Sequence, residues 1–239
     1  MNFLRSIILK NLSLLTYLVL IFFFLYSIFI LRYYYDGHHI GLMYSNSIDL
    51  INGKLPYKEI FIQYGILTTL IHSLILIIFD QKVFFLSIIN SFFYFFSIFF
   101  ICKTIENTTN KKLAFLSLII ILFNHPIPWL PWSNYLAFLF ISLSLFILTK
   151  KKPNFFIMGF FLSLAVLCRQ DFLISIFVTF CFYFLFNLFN KKKNEIKFLN
   201  VISGFSIPLL FFYFYLNYLG VLKDWLMYFE LPNYYLDIY

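Results

Sequence analysis

Residues 66–79 read ILTTLIHSLILIIF, and whether this segment crosses a bilayer decides the topology of the whole chain. As a helix it rises only ~21 Å at 1.5 Å per residue, short of a hydrocarbon core of ~30 Å. Its polar members, Thr68, Thr69, His72 and Ser73, fall at i, i+1, i+4 and i+5 and so share one helical face. Shortness and one-sided polarity predict an amphipathic helix lying at, or dipping into, a membrane face. Its polar stripe is expected toward an outer cavity and its apolar side toward lipid or protein.

The sequence around it belongs to a membrane protein. Residues 12–31, 83–102 and 198–219 are apolar runs of roughly 20 residues, each long enough to span. The chain as a whole is 62% hydrophobic with a mean hydropathy of +0.89. Further apolar segments cover 113–123, continued by HPIPWLPW at 125–132, then 135–149, 155–167 and 172–189. The stretch 155–189 would be roughly 50 Å long as one helix, so it must fold back, and Arg169-Gln170-Asp171 marks the bend. If 66–79 does not cross, seven spans remain and the charges separate. Arg5, Lys10, Lys103, Lys111, Lys112, Lys150, Lys151, Lys152, Lys191, Lys192, Lys193 and Lys197 fall on one side with only Glu106 and Glu195. The remaining six basic residues share the other side with the other eight acids. That is a positive-inside pattern, and a crossing at 66–79 would place the three lysine-rich loops opposite the basic N-terminus.

The expected fold is therefore all-α, a single polytopic membrane domain over 1–239, with the N-terminus cytoplasmic. Residues 12–31 form the first span, 32–82 an outer loop with juxtamembrane helices, 83–219 six further spans and 220–239 an outer tail. Arg5 and Lys10 precede an apolar run too long for a signal peptide, and the first fifty residues contain no alanine for a cleavage site, which predicts an uncleaved anchor. Cys102, Cys168 and Cys181 show no metal-ligand spacing, so neither disulfide nor zinc is expected. The net charge of +8 follows from the loop lysines and gives no reason to expect nucleic acid. No glycine-rich nucleotide loop is present, and the 37 phenylalanines read as compositional bias.

The first outer loop concentrates the chemistry. Residues 35–70, YDGHHIGLMYSNSIDLINGKLPYKEIFIQYGILTTL, hold Asp36, His38, His39, Asp49, Glu59 and Gln63, and ionisable residues in so apolar a chain mark function by default. Asp36 precedes a helix expected over 37–51, which Asn52-Gly53 ends and Pro56 prevents from resuming. Gln63-Tyr64-Gly65 then opens the amphipathic helix.

That order, with the motifs D-G-H-H (36–39), N-G-K-x-P-Y (52–57), Q-Y-G (63–65) and L-x-x-A-V-L-C-R-Q-D (162–171), resembles the GT-C superfamily of membrane glycosyltransferases. The nearest likeness is to the bacterial dolichyl-phosphate-mannose/4-amino-arabinose-transferase-like branch. It covers roughly 32–219 and is strongest over 35–70. Many members carry two adjacent acids where Asp36 here stands between Tyr35 and Gly37. They are also longer, so the resemblance implies a fragment or a degenerate paralogue.

The resemblance implies an enzyme of the cytoplasmic membrane working on its outer face. The sugar would come from a polyprenyl-phosphate donor and the acceptor would be an envelope glycan, lipid or protein; no cofactor is assigned, and a divalent metal stays open. Asp36 becomes the base that takes the acceptor proton. His38, His39 and Arg169 become partners for the departing phosphate, while Gln63, Tyr64, His72 and Asp171 complete the substrate-binding set. Plainer readings stand beside each role. Asp36 is a good helix cap, the histidines suit a wet interface, and Arg169–Asp171 suits an interfacial salt bridge. Asp49 and Glu59 read as solvating the loop, the tryptophans as an interfacial belt, and His72 as lining the cavity or lying on its helix's polar face. No metal is assigned, because neighbouring residues 36, 38 and 39 do not converge on one point. The alternative is a non-catalytic membrane protein, either a truncated paralogue that binds lipid-linked sugar or a transporter-like subunit.

Overall fold

The computed structural model describes residues 2–33, 37, 39–125, 131–189 and 198–227, with side chains over 11–182 of these and from 198 onward. Asp36, His38, Trp129, the lysines at 191–197 and the tail from 228 lie outside the described residues. Among the described residues ten helices follow one another, and the β pairing is a lone bridge between Pro56 and Ile60.

α1 (Asn2–Leu31), α4 (Val83–Thr108) and α9 (Phe198–Tyr218) are the long elements, and each contains a segment long and apolar enough to cross a bilayer. α5 (Lys111–Asn124) and α7 (Phe155–Cys168) have 14 residues each and α6 (Ser133–Leu148) has 16. Fourteen residues rise ~21 Å, so these helices match a bilayer only together with their flanking turns. α8 (Phe172–Phe189) begins after the break at 169–171 that separates it from α7.

Helix boundaries follow local chemistry. Asn110 caps α5, its side chain accepting from the amides of Lys112 and Leu113, and Asn154 caps α7 through the amide of Ile157. Each supplies an acceptor to amides that would otherwise be unpaired at a helix start. α2 (His39–Ile51) ends where Gly53 takes φ +82°, a left-handed geometry that glycine adopts without a Cβ clash. The amide of Lys54 closes that turn on the carbonyl of Asp49, and the two side chains pair at 2.8 Å.

In α3 (Ile66–Ile78) the polar stripe points inward. Thr68, Thr69, His72 and Ser73 are buried, while Leu74, Ile77 and Ile78 are exposed. α3 packs on α2, α4 and α7. Its start is pinned to the end of α7, where the Gly65 amide donates to the Cys168 carbonyl at 3.0 Å. A Cβ on Gly65 would sit 1.9 Å from the Leu167 carbonyl oxygen, so only glycine allows this approach.

The bundle has two chemically different ends. At one, Asn107 donates to the Thr149 hydroxyl at 3.0 Å, bringing the α4–α5 and α6–α7 turns together with Lys111, Lys112 and Lys150–Lys152. At the other, α2, the loop over 52–65 and α3 cover the ends of α4, α7 and α9. Ile66 packs with Leu216 and Val221, and Ile75 and Leu76 pack with Leu86.

Candidate functional site

Arg169 organises the polar end. It follows the last residue of α7, with a side chain 25% exposed. Its Nε donates to Asp171 Oδ2 at 2.8 Å, its Nη1 donates to Asn134 Oδ1, and its guanidinium carbon lies 4.9 Å from the centroid of the Tyr64 ring. Three stretches of chain converge on one cation: the loop before α3, the first turn of α6 and the α7–α8 break. A planar guanidinium stacked on an aromatic face keeps its remaining N–H groups in a fixed fork.

Beside this cluster is a small cavity of about 10 Å³, lined by Asn46, Gln63, Tyr64, Thr68, Thr69 and Ser133 among others. It has room for about one water. Asn46 Nδ2 donates to the Phe61 carbonyl at 2.7 Å, and the Thr68 hydroxyl donates to the Cys168 carbonyl at 3.4 Å. Ser133 Oγ is buried with no hydrogen-bond partner among the described residues. His39 meets the edge of Trp132 at 5.2 Å between ring centroids, which brings the start of α2 against the turn leading into Ser133 and Asn134.

Gln63, Tyr64, Arg169 and Asp171 are thus gathered at the same end, with His39 one turn away through Trp132. Asp49 and Glu59 are engaged locally, Asp49 with Lys54 and Glu59 accepting from the Leu55 amide at 2.7 Å. His72 lies apart from the cavity. It is fully buried between α3 and α4, with Nε2 2.9 Å from Asn90 Nδ2, and Asn90 Nδ2 also donates to the Leu86 carbonyl. An amide donor facing Nε2 places the imidazole proton on Nδ1. Nδ1 and Asn90 Oδ1 are both buried without partners among the described residues. Burial pushes the imidazole pKa down to about 4 against the smaller upward pull of the Asn90 hydrogen bond, so His72 is neutral near pH 7.

His125, at the end of α5, belongs to a second polar cluster. Its carbonyl accepts from the Tyr94 hydroxyl, and its Nε2 is 3.3 Å from the Tyr135 hydroxyl. The end of α5 is thereby tied to α4 and α6. Among the described residues no group of three or more His, Cys, Asp or Glu side chains is arranged to hold a metal ion.

Asn134, Ser133, Asn46 and Asn90 were not among the residues expected from sequence. Asn90 had a readable signal, since it is an amide in the middle of the apolar run 83–102, and polar groups there need partners. Asn134 had none, because its partner is 35 residues away in sequence.

The fold defines a helical membrane protein, with three helices among the described residues long and apolar enough to span. No protein-family model matches the chain, and no curated protein and no solved structure matches it.

Proposed function

We propose that the chain is a membrane glycosyltransferase of the GT-C type, transferring a sugar from a polyprenyl-phosphate donor to an acceptor hydroxyl on the outer face of the cytoplasmic membrane. In this reading seven helices span, the N-terminus and the lysine-rich end are cytoplasmic, and α2 and α3 are juxtamembrane. The observation that carries it is the convergence of Tyr64, Asn134 and Arg169 beside a small cavity of mixed lining, at the end where α2 begins. A lipid phosphate leaving the anomeric carbon is already a stable anion. It needs a cation and hydrogen-bond donors, which Arg169, Ser133 and Gln63 supply, and no general acid. Asp171 is 64% exposed, and an ion pair that open to water contributes at most about 1 kcal/mol. A phosphate can displace it from Arg169.

The acceptor hydroxyl must lose a proton as it attacks, and Asp36 is the carboxylate assigned to take it. Asp36→Asn keeps the size and most of the capping ability but removes the base. Transfer from a polyprenyl-phosphate sugar should fall about 100-fold or more, while the thermal unfolding midpoint stays close to the native value. A variant transferring at the native rate would sink the assignment. The orientation is checked separately by labelling a single cysteine at position 151 in a Cys-free background, where ready labelling from outside intact cells would overturn it.

A second reading rests on the cavity itself. At about 10 Å³ it holds a water and not a sugar, which favours a non-catalytic membrane protein such as a truncated paralogue. Donor binding without transfer across a broad donor and acceptor panel would support that reading over the first.

A further inference from the structure

Away from the polar end, α1 and α4 leave a groove between them. Tyr17, Leu20 and Phe24 line one wall and Phe92, Phe96 and Phe99 the other, around a volume of about 300 Å³ that is almost wholly apolar. The packing explains the gap. Phe92 and Phe96 pack with tilted rings 4.2 Å apart and are 44% and 40% exposed, while Phe95 turns inward and is 5% exposed. Large rings hold the two helices apart where small residues would have let them close.

The groove does not end in apolar surface. Tyr17 and Phe99 also line a second, smaller pocket, whose other residues include Ser13, Thr16, Lys103, Glu106 and Lys111. Glu106 Oε2 pairs with Lys103 Nζ at 2.8 Å, Glu106 Oε1 accepts from the Ser13 hydroxyl at 3.3 Å, and Lys103 Nζ lies 5.1 Å from the Tyr17 ring centroid. Lys111 makes no ion pair among the described residues. Two ammonium groups therefore face one carboxylate, and the pocket carries a net positive charge.

The dimensions select the occupant. From Ser13 to Phe24 is ~16 Å along α1 at 1.5 Å per residue, half the ~30 Å hydrocarbon thickness of a bilayer. A docked helix would need a groove running the length of α1, whereas the apolar part covers only the two turns from Tyr17 to Phe24. One leaflet's depth, apolar for two turns and cationic at its end, matches a single lipid. We propose that this groove is a binding site for an anionic phospholipid, with an acyl chain against the phenylalanine wall and the headgroup phosphate on Lys103 and Lys111. A zwitterionic headgroup brings its own ammonium to the same lysines and is disfavoured. Charge attraction of this kind operates where lysines meet an anionic leaflet.

The test uses the full chain purified in mild detergent and stripped of lipid. Phosphatidylglycerol and phosphatidylcholine with the same acyl chains are added in turn, and bound lipid is counted by native mass spectrometry beside the thermal midpoint. The native chain should retain phosphatidylglycerol at least about tenfold better and be stabilised by it more. Lys111→Gln, a change at an exposed residue, should reduce that preference, and Lys103→Gln with Lys111→Gln should abolish it. Ile21→Trp fills the groove from its 54% exposed side and should lower retention of both lipids with the lysines intact. Equal retention of the two lipids by the native chain would overturn the proposal. So would a preference that Lys111→Gln leaves untouched, a readout that stands even if the double variant fails to fold.

Discussion

The α7–α9 side and the α1–α4 side of the molecule solve the same problem in opposite ways. Between α7 and α9 the backbones touch. A Cβ on Gly159 would lie 2.1 Å from the Val201 carbonyl oxygen, and one on Gly204 would lie 2.0 Å from the Phe156 carbonyl oxygen. Between α1 and α4 the aromatic side chains touch and leave the groove. Lipid tails are as apolar as the helices, so association in a bilayer depends on close packing and interhelical hydrogen bonds. The first side excludes lipid by fit, and the second leaves lipid a place.

The strongest way to break this contrast is to add a methyl group where the backbones meet. Gly204→Ala or Gly159→Ala must push α7 and α9 apart, because the obstructing atoms are backbone and cannot rotate away. Overpacking of this kind costs about 3 kcal/mol, and Gly204→Ala should lower the thermal midpoint sharply in detergent. A variant that melts with the native chain would show that the two helices do not rely on this fit. Gly65→Ala applies the same test at the juncture of α3 and α7, 1.9 Å from the Leu167 carbonyl oxygen. The loop before α3 can yield more than a helix can, so the expected loss is smaller, about 2–3 kcal/mol. Proteolysis within 52–65 should accelerate if α3 detaches.

How far the sequence spoke follows the same line between local and distant. Gly53 at the end of α2, the short amphipathic α3 and the break at Arg169–Asp171 were legible because each is fixed by residues within a turn or two of itself. Gly159 and Gly204 read as scattered glycines, since their purpose is the approach of another helix. The stack of Arg169 on Tyr64 and its bond to Asn134 were equally hidden. Tyr64 and Arg169 were readable one by one as polar residues at helix ends, Asn134 was not, and only folding brings the three to one point. The inward turn of the α3 stripe toward Asn90 was half legible, because the shared face was plain and its partner was not.

His72 and Asn90 lie between the two sides, and acid should expose their cost. Unfolded, His72 binds a proton below its ordinary value of 6.5, whereas in the fold burial delays protonation to about 4. Stability from the neutral imidazole is fully present above 6.5 and is lost as the pH falls toward 4. Between pH 7 and pH 5 the loss should be about 2 kcal/mol. His72→Gln can still accept from Asn90 but cannot titrate, so its midpoint should fall less than the native midpoint over the same interval. Identical acid sensitivity in the two proteins would remove His72 as the cause.

The smallest effect is expected on the open side. Phe95 and Phe96 are neighbours on α4, the first 5% and the second 40% exposed. Truncating a buried phenylalanine leaves a cavity that the surroundings cannot fill, and Phe95→Ala should cost about 3–5 kcal/mol. Phe96 lines a groove already open on one side, so Phe96→Ala widens a space that lipid or detergent can enter, and little more than its ring contacts, closest with Phe92, is lost. An aromatic pair of that kind contributes about 0.5–1.5 kcal/mol, so the midpoint should move by only a few degrees. Measured in detergent and again in lipid bilayers, the Phe96→Ala loss should shrink in the bilayer, where acyl chains reach the enlarged groove. Equal losses for the two variants would mean that the α1–α4 interface is closed core after all, and the difference between the two sides would disappear.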